Sequence, residues 1–164
     1  ATYVEAIAAF KADKSIALFQ KQDVLSPAEI LSRVDVMYEA YVRSIETEAV
    51  TLIDMIRTEV IPAITKELLS LGGLKEPKPA VIVKKEQLFT AFINQVSLEC
   101  DELESTIAFV DTLEDSEEKS MALLHKARPY LVSIRQQYDD IEIYIAKENL
   151  PFPSYRDLLF SLEH

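Results

Sequence analysis

Only two glycines occur in the 164 residues, and they are neighbours, Gly72 and Gly73. Glycine supplies the positive-φ positions that tight hairpins, bulges and phosphate-cradling loops require. A chain this poor in glycine cannot be assembled from many sharp turns, so β-rich architectures and glycine-rich nucleotide loops are excluded together. Hydrophobic residues make up 49% of the chain, enough for a packed interior. The length suits one domain with a real core. The expectation is an all-α fold.

The periodicity agrees. Thr2–Ala12 and Lys14–Gln22 read as a short helical pair broken near Asp13. Ser26, Pro27 and Glu29 then form a helix start, with serine as cap, proline at the first helical position and glutamate three residues after the cap. From there Ile30, Val34, Met37, Tyr41, Ile45, Ala49, Leu52, Ile56 and Val60 recur every three or four residues as one apolar stripe. The pattern resumes at Ile64, Leu68 and Leu71 after Pro62, which predicts a kink and not an end. A helix running to Leu71 would be roughly 65–70 Å long, with Gly72-Gly73 closing it.

Residues 74–83, LKEPKPAVIV, predict a loop with a short strand-like stretch at Val81-Ile82-Val83. A third helix is expected over about 84–113, with Leu88, Phe92, Val96, Leu103, Ile107 and Val110 inward. Asp115-Ser116 can cap a fourth over about 117–148, bent at Pro129, with Met121, Leu124, Leu131, Ile134, Tyr138, Ile141 and Ile145 inward. The expected architecture is an antiparallel helical bundle with one very long helix and the N-terminal pair across one end. A Pro-rich C-terminal tail packs back on it. Residues 1–161 are read as a single domain, and Leu162-Glu163-His164 as the stub of an expression tag.

The net charge is −11, and from Glu86 to Glu118 ten acids occur with no lysine or arginine. Such a field repels phosphate backbones and anionic lipid, which argues against nucleic acid and membrane partners. The stretch reads as a solvated helix face or a face for a basic partner. No run approaches the roughly 20 apolar residues of a membrane span. Ala1 to Phe10 lacks the pattern of a signal peptide, so a cytoplasmic location is expected.

Candidate chemistry is sparse. A di-iron bundle needs two Glu-x-x-His pairs, whereas His125 has Ala122 three residues before it and His164 belongs to the tag. One cysteine and one native histidine do not make a zinc site. Cys100 sits among acids, which raise a thiol pKa, and is read as an inert packed thiol. Asp139 and Asp140 are adjacent, so on a helix they point about 100° apart. No catalytic, cofactor-binding or metal residue is assigned in this chain. Tyr38, Tyr41, Tyr138 and Tyr144 could line a small-molecule pocket, but at helical spacing they read first as bundle core with hydroxyls at the rim.

The tail is the exception to the pattern. Pro151 and Pro153 hold an extended segment, and Phe152, Tyr155, Leu158, Leu159 and Phe160 follow as an apolar group seeking a pocket. These seven residues are assigned as tail-docking residues, folding back on this domain's helices or docking on another part of a larger protein.

Residues 16–33, 38–64 and 151–160 together resemble the C-terminal region of type III glutamine synthetases. Ser32-Arg33 stands at that family's capped helix start. Glu48-Ala49, Ile53-Asp54-Met55 and Ile61-Pro62-Ala63 follow its long-helix core and turn, and Pro151-x-Pro153-x-Tyr155…Leu159-Phe160 follows its tail. Leu150 stands where the family's tail carries tryptophan, and residues 72–120 carry no motif of the resemblance. The resemblance implies a parent enzyme joining ammonia to glutamate with ATP and Mg, whose catalytic residues lie upstream. It implies a non-catalytic role for this region in structure, assembly or regulation, with the catalytic part and neighbouring subunits of an oligomer as partners. The alternative is a stand-alone helical interaction module.

Overall fold

A computed structural model describes residues 2–153 and 155–160, the side chains of Tyr155 and Arg156 excepted. The tag-like residues 162–164 lie outside the described residues, as does the ring of Tyr155. The fold is all-α, with no strand among the described residues. The elements are α1 (Tyr3–Phe10), α2 (Asp13–Lys21), α3 (Pro27–Met55), a π turn (Ile56–Val60), α4 (Ile61–Gly72), α5 (Ala80–Asp111), α6 (Ser116–Ala122), a second π turn (Leu123–Ala127), α7 (Arg128–Glu142), a 3-10 turn (Lys147–Asn149) and α8 (Tyr155–Phe160).

The helix starts form for local reasons. Thr2 accepts from the Glu5 N–H, and the Glu5 carboxylate accepts from the Thr2 N–H, closing a capping box on α1. Ser26 and Glu29 make the same reciprocal pair ahead of α3, at 3.3 Å and 2.8 Å. Asp115 caps α6 by accepting from the Glu118 N–H at 2.8 Å. The break expected near Asp13 falls at Lys11 and Ala12, and Asp13 opens α2.

The long helix is uninterrupted from Pro27 to Gly72, but it absorbs Pro62 by widening. Proline has no N–H, and its ring would strike the carbonyl four residues back. The turn that holds that carbonyl is a π turn ending two residues before the proline, and the Ile61 N–H bonds the Ile56 carbonyl. Pro129 repeats the device: Leu123–Ala127 is π, and the Arg128 N–H bonds the Leu123 carbonyl.

Several expectations are corrected. Val81-Ile82-Val83 is the first turn of α5, not a strand-like stretch, because Pro79 accepts from the Ile82 and Val83 N–H groups and starts the helix. The fourth helical segment ends at Glu142 and not near Glu148. On the long helix Ile30, Val34, Ala49, Ile56 and Val60 are buried as expected, but between them the innermost line shifts by one residue. Tyr38, Val42 and Ile53 are buried, while Met37, Tyr41, Ile45 and Leu52 are half-buried. Likewise Phe89 replaces Leu88, Cys100 joins the α5 core, and Ser120 and Leu123 replace Met121, which is 42% exposed. A stripe wider than 100° leaves its centre undetermined by spacing alone.

The described residues form two compact units. One comprises residues 1–50 and 103–131, the other 51–102 and 132–164. In the first, Val4, Ile7, Ile30, Val34 and Tyr38 form a buried cluster, with Phe10, Ile16, Phe19, Leu25 and Leu124 packed against it. In the second, Ile56, Val60, Ile64, Phe89, Val96, Cys100 and Ile134 are among the most deeply buried side chains. Helices α3, α5 and α7 each contribute residues to both units, so neither is a continuous stretch of chain.

Candidate functional site

The tail is rooted on an acid. Glu67, in α4, is only 4% exposed. Along that helix Val60, Ile64, Glu67 and Leu71 follow one another at spacings of four, three and four, so the carboxylate occupies an inward position where an apolar residue would be expected. A buried charge must be paired and hydrogen-bonded. Lys85, on α5, donates to Oε2 at 2.9 Å. On Oε1 converge the Ala146 backbone N–H at 3.1 Å and the Asn149 amide Nδ2 at 2.6 Å. Burial alone would push the Glu67 carboxyl upward. The donors from Asn149, Lys85 and Ala146 outweigh it and hold the group below its usual value. Removing one partner of such a buried pair costs about 3–5 kcal/mol in other proteins.

Three segments far apart in sequence therefore meet on one carboxylate, and the last is the 3-10 turn from which the tail departs. Beyond it, Phe152 packs edge-on against the Tyr138 ring, centroids 5.8 Å apart. Tyr138 donates its hydroxyl to Glu142 at 3.3 Å, and burial, then the Glu142 charge, pushes that hydroxyl's pKa up. Lys147 pairs with Asp157 of α8 at 3.4 Å. Pro151 and Phe152 are half-buried and Pro153 is exposed. Leu158, Leu159 and Phe160 are 53%, 73% and 58% exposed. Of the seven tail residues assigned from sequence, the proximal two are thus packed and the terminal three keep most of their surface in solvent.

Glu67, Lys85 and Asn149 escaped the sequence reading. The acid on the inward line of α4 was the available signal. Its partners come from 18 and 82 residues away, a distance at which no local pattern operates.

The first unit has its own polar anchor. Glu117 of α6 takes the Lys11 ammonium on Oε2 and the Tyr38 hydroxyl on Oε1 at 3.2 Å. Lys11 lies 5.8 Å from the centre of the Tyr38 ring. Burial, then the Glu117 charge, raises the Tyr38 hydroxyl to about 12. Tyr38 and Tyr41 belong to this unit, Tyr138 and Tyr144 to the other, and Tyr144 is 47% exposed.

The acidic stretch is partly neutralised from elsewhere in the sequence. Glu86 pairs with Lys78 at 2.6 Å, Asp101 with Arg57 at 2.8 Å, and Glu117 with Lys11. Glu99 accepts from Gln95 and Gln137, each at 2.8 Å. Cys100 is fully buried, and His125 is exposed within the second π turn. No group of three or more His, Cys, Asp or Glu side chains able to hold a metal occurs among the described residues. No described helix is long and apolar enough to cross a membrane.

These features define a helical domain whose buried polar groups join its own segments. Residues 1–73 match the family model described as the glutamine synthetase C-terminal domain. The chain is 24% identical over 95% of its length to the type-3 glutamine synthetase of Dictyostelium discoideum. It is 25% identical over 96% to the glutamine synthetase of Bacteroides fragilis, and 26% over 92% to that of Butyrivibrio fibrisolvens. It spans 23% of the length of each of these relatives. The chain is thus similar to the C-terminal domain of glutamine synthetases over residues 1–73, and its likeness to these relatives extends to nearly its whole length.

Proposed function

We propose that this chain is a non-catalytic helical domain serving the assembly or regulation of a glutamine synthetase. Its parent is an ATP- and Mg-dependent glutamate–ammonia ligase of the cytoplasm. The catalytic part of that parent and its neighbouring subunits are the partners, and nucleic acid and membrane are not. The observation that carries this reading is the similarity of nearly the whole chain to 23% of each relative. Residues 151–160 are the docking element. Their proximal half packs on α7, and Leu159 and Phe160 present an apolar end to the catalytic part. Residues 1–161 act as one domain, since α3, α5 and α7 thread both units.

The test is complementation in trans. The parent's catalytic part, expressed without this region, should co-elute with the purified chain. It should fail to do so with the chain carrying Leu159→Asp and Phe160→Asp. Co-elution unaffected by both changes removes the tail from the interface, and no co-elution with the unaltered chain removes the docking reading. Glutamine formation by the chain alone from glutamate, ammonia, ATP and Mg would overturn the non-catalytic assignment.

A further inference from the structure

We propose that Glu67 is a positioning residue, the latch that sets where the tail leaves the domain. This deepens the docking role proposed above and rests on it. The geometry is specific to the tail root. An ionised carboxylate only accepts, so the Asn149 amide must turn its Nδ2 toward Glu67, as it does at 2.6 Å. The Ala146 N–H, which donates to the same oxygen, belongs to the residue that caps the 3-10 turn. That turn is three residues long and contributes no buried side chain of its own. With little apolar burial to hold it, its attachment depends on the acceptor that α4 provides. Lys85 donates to the other carboxylate oxygen. From there it neutralises Glu67 while lying 5.2 Å from the centre of the Phe89 ring, so the acid can remain charged in an apolar surround. From the fixed root, Phe152 reaches Tyr138 and Lys147 reaches Asp157, which carries the orientation onward to α8.

Amide hydrogen exchange on this chain alone tests the latch. Glu67→Leu puts an apolar side chain at the same inward position and accepts nothing. It should speed exchange at residues 144–160 by about tenfold or more, while amides of 92–96 and 134–141 keep their protection. The double variant Glu67→Gln with Lys85→Met retains a neutral acceptor for Ala146 and Asn149 without leaving an unpaired ammonium, and should restore slow exchange at 144–160. Asn149→Ala should give a partial, equally local loss. Unchanged exchange at 144–160 in Glu67→Leu overturns the proposal. So does acceleration of the core amides by the same factor, which would make Glu67 an ordinary buried ion pair. Failure of the double variant to restore protection also counts against it. Because no catalytic part is present, the outcome is independent of whether the tail docks there.

Discussion

Asp23 shows how the chain manages with so little glycine. It follows α2 with φ of 52°, the left-handed conformation that usually falls to glycine. The Val24 N–H bonds the Phe19 carbonyl and the Asp23 N–H bonds the Gln20 carbonyl, the two bonds of a Schellman ending. Aspartate tolerates this region at some cost, and its charge opposes the negative helix end. Asp23→Gly should therefore raise stability by about 0.5–1 kcal/mol, even after the added freedom of the unfolded chain, as read from the urea midpoint. Gly73, by contrast, caps α4 at φ of −72° and needs no glycine for its backbone. Cys100 makes a second case. At 0% exposure its thiol should not react with a thiol reagent in the native chain, and labelling should appear only as urea unfolds the protein.

At the scale of elements, the two prolines inside helices are the informative residues. Pro62 and Pro129 each lie two residues past a π turn. If the widened turn removes the clash, Pro62→Ala should change stability by less than about 1 kcal/mol, well short of the roughly 3 kcal/mol separating proline from alanine in a regular helix interior. A gain near the larger figure in thermal or urea unfolding would show that the strain persists. The sequence told where these interruptions fall and that the helix survives them. Whether the accommodation is a kink or an added residue in the turn depends on which side chains must stay inward. Ile56 and Val60 are both buried within the first π turn, and that demand comes from the neighbouring helices.

For the whole molecule, sharing three helices between two units predicts joint unfolding. Far-ultraviolet circular dichroism and amide exchange in either unit should report one transition with the same midpoint. Two midpoints would mean independent units. Stability should also depend on pH in opposite senses for two acids. Glu67 titrates below the ordinary glutamate value when folded, so its stabilisation is present above that value and is lost as pH falls through the depressed one. Glu46 is raised by burial and by the nearby Asp111 charge, so acidification relieves a cost there. Thermal melts from pH 6 to 3 should fall less steeply for the double variant Glu67→Gln with Lys85→Met than for the unaltered chain. In alkali, Tyr38 keeps its proton to about 12 while the unfolded chain ionises near 10.0. Stability is therefore intact below the lower value and declines as pH rises between them, and Tyr38→Phe should flatten that decline.

Scarce glycine, apolar spacing and local capping pairs were enough to determine the helices, the starts of α3 and α6 and the all-α class, because each is set by residues within one or two turns of each other. The resemblance read from Ser32-Arg33 through Ile61-Pro62-Ala63 to the tail was legible for the same reason, as contiguous motifs. Tertiary structure alone decided which line of each broad apolar stripe is innermost, and brought Lys85, Ala146 and Asn149 to Glu67. Those outcomes depend on how distant segments fill space and satisfy a buried charge, and short-range periodicity carries no record of either.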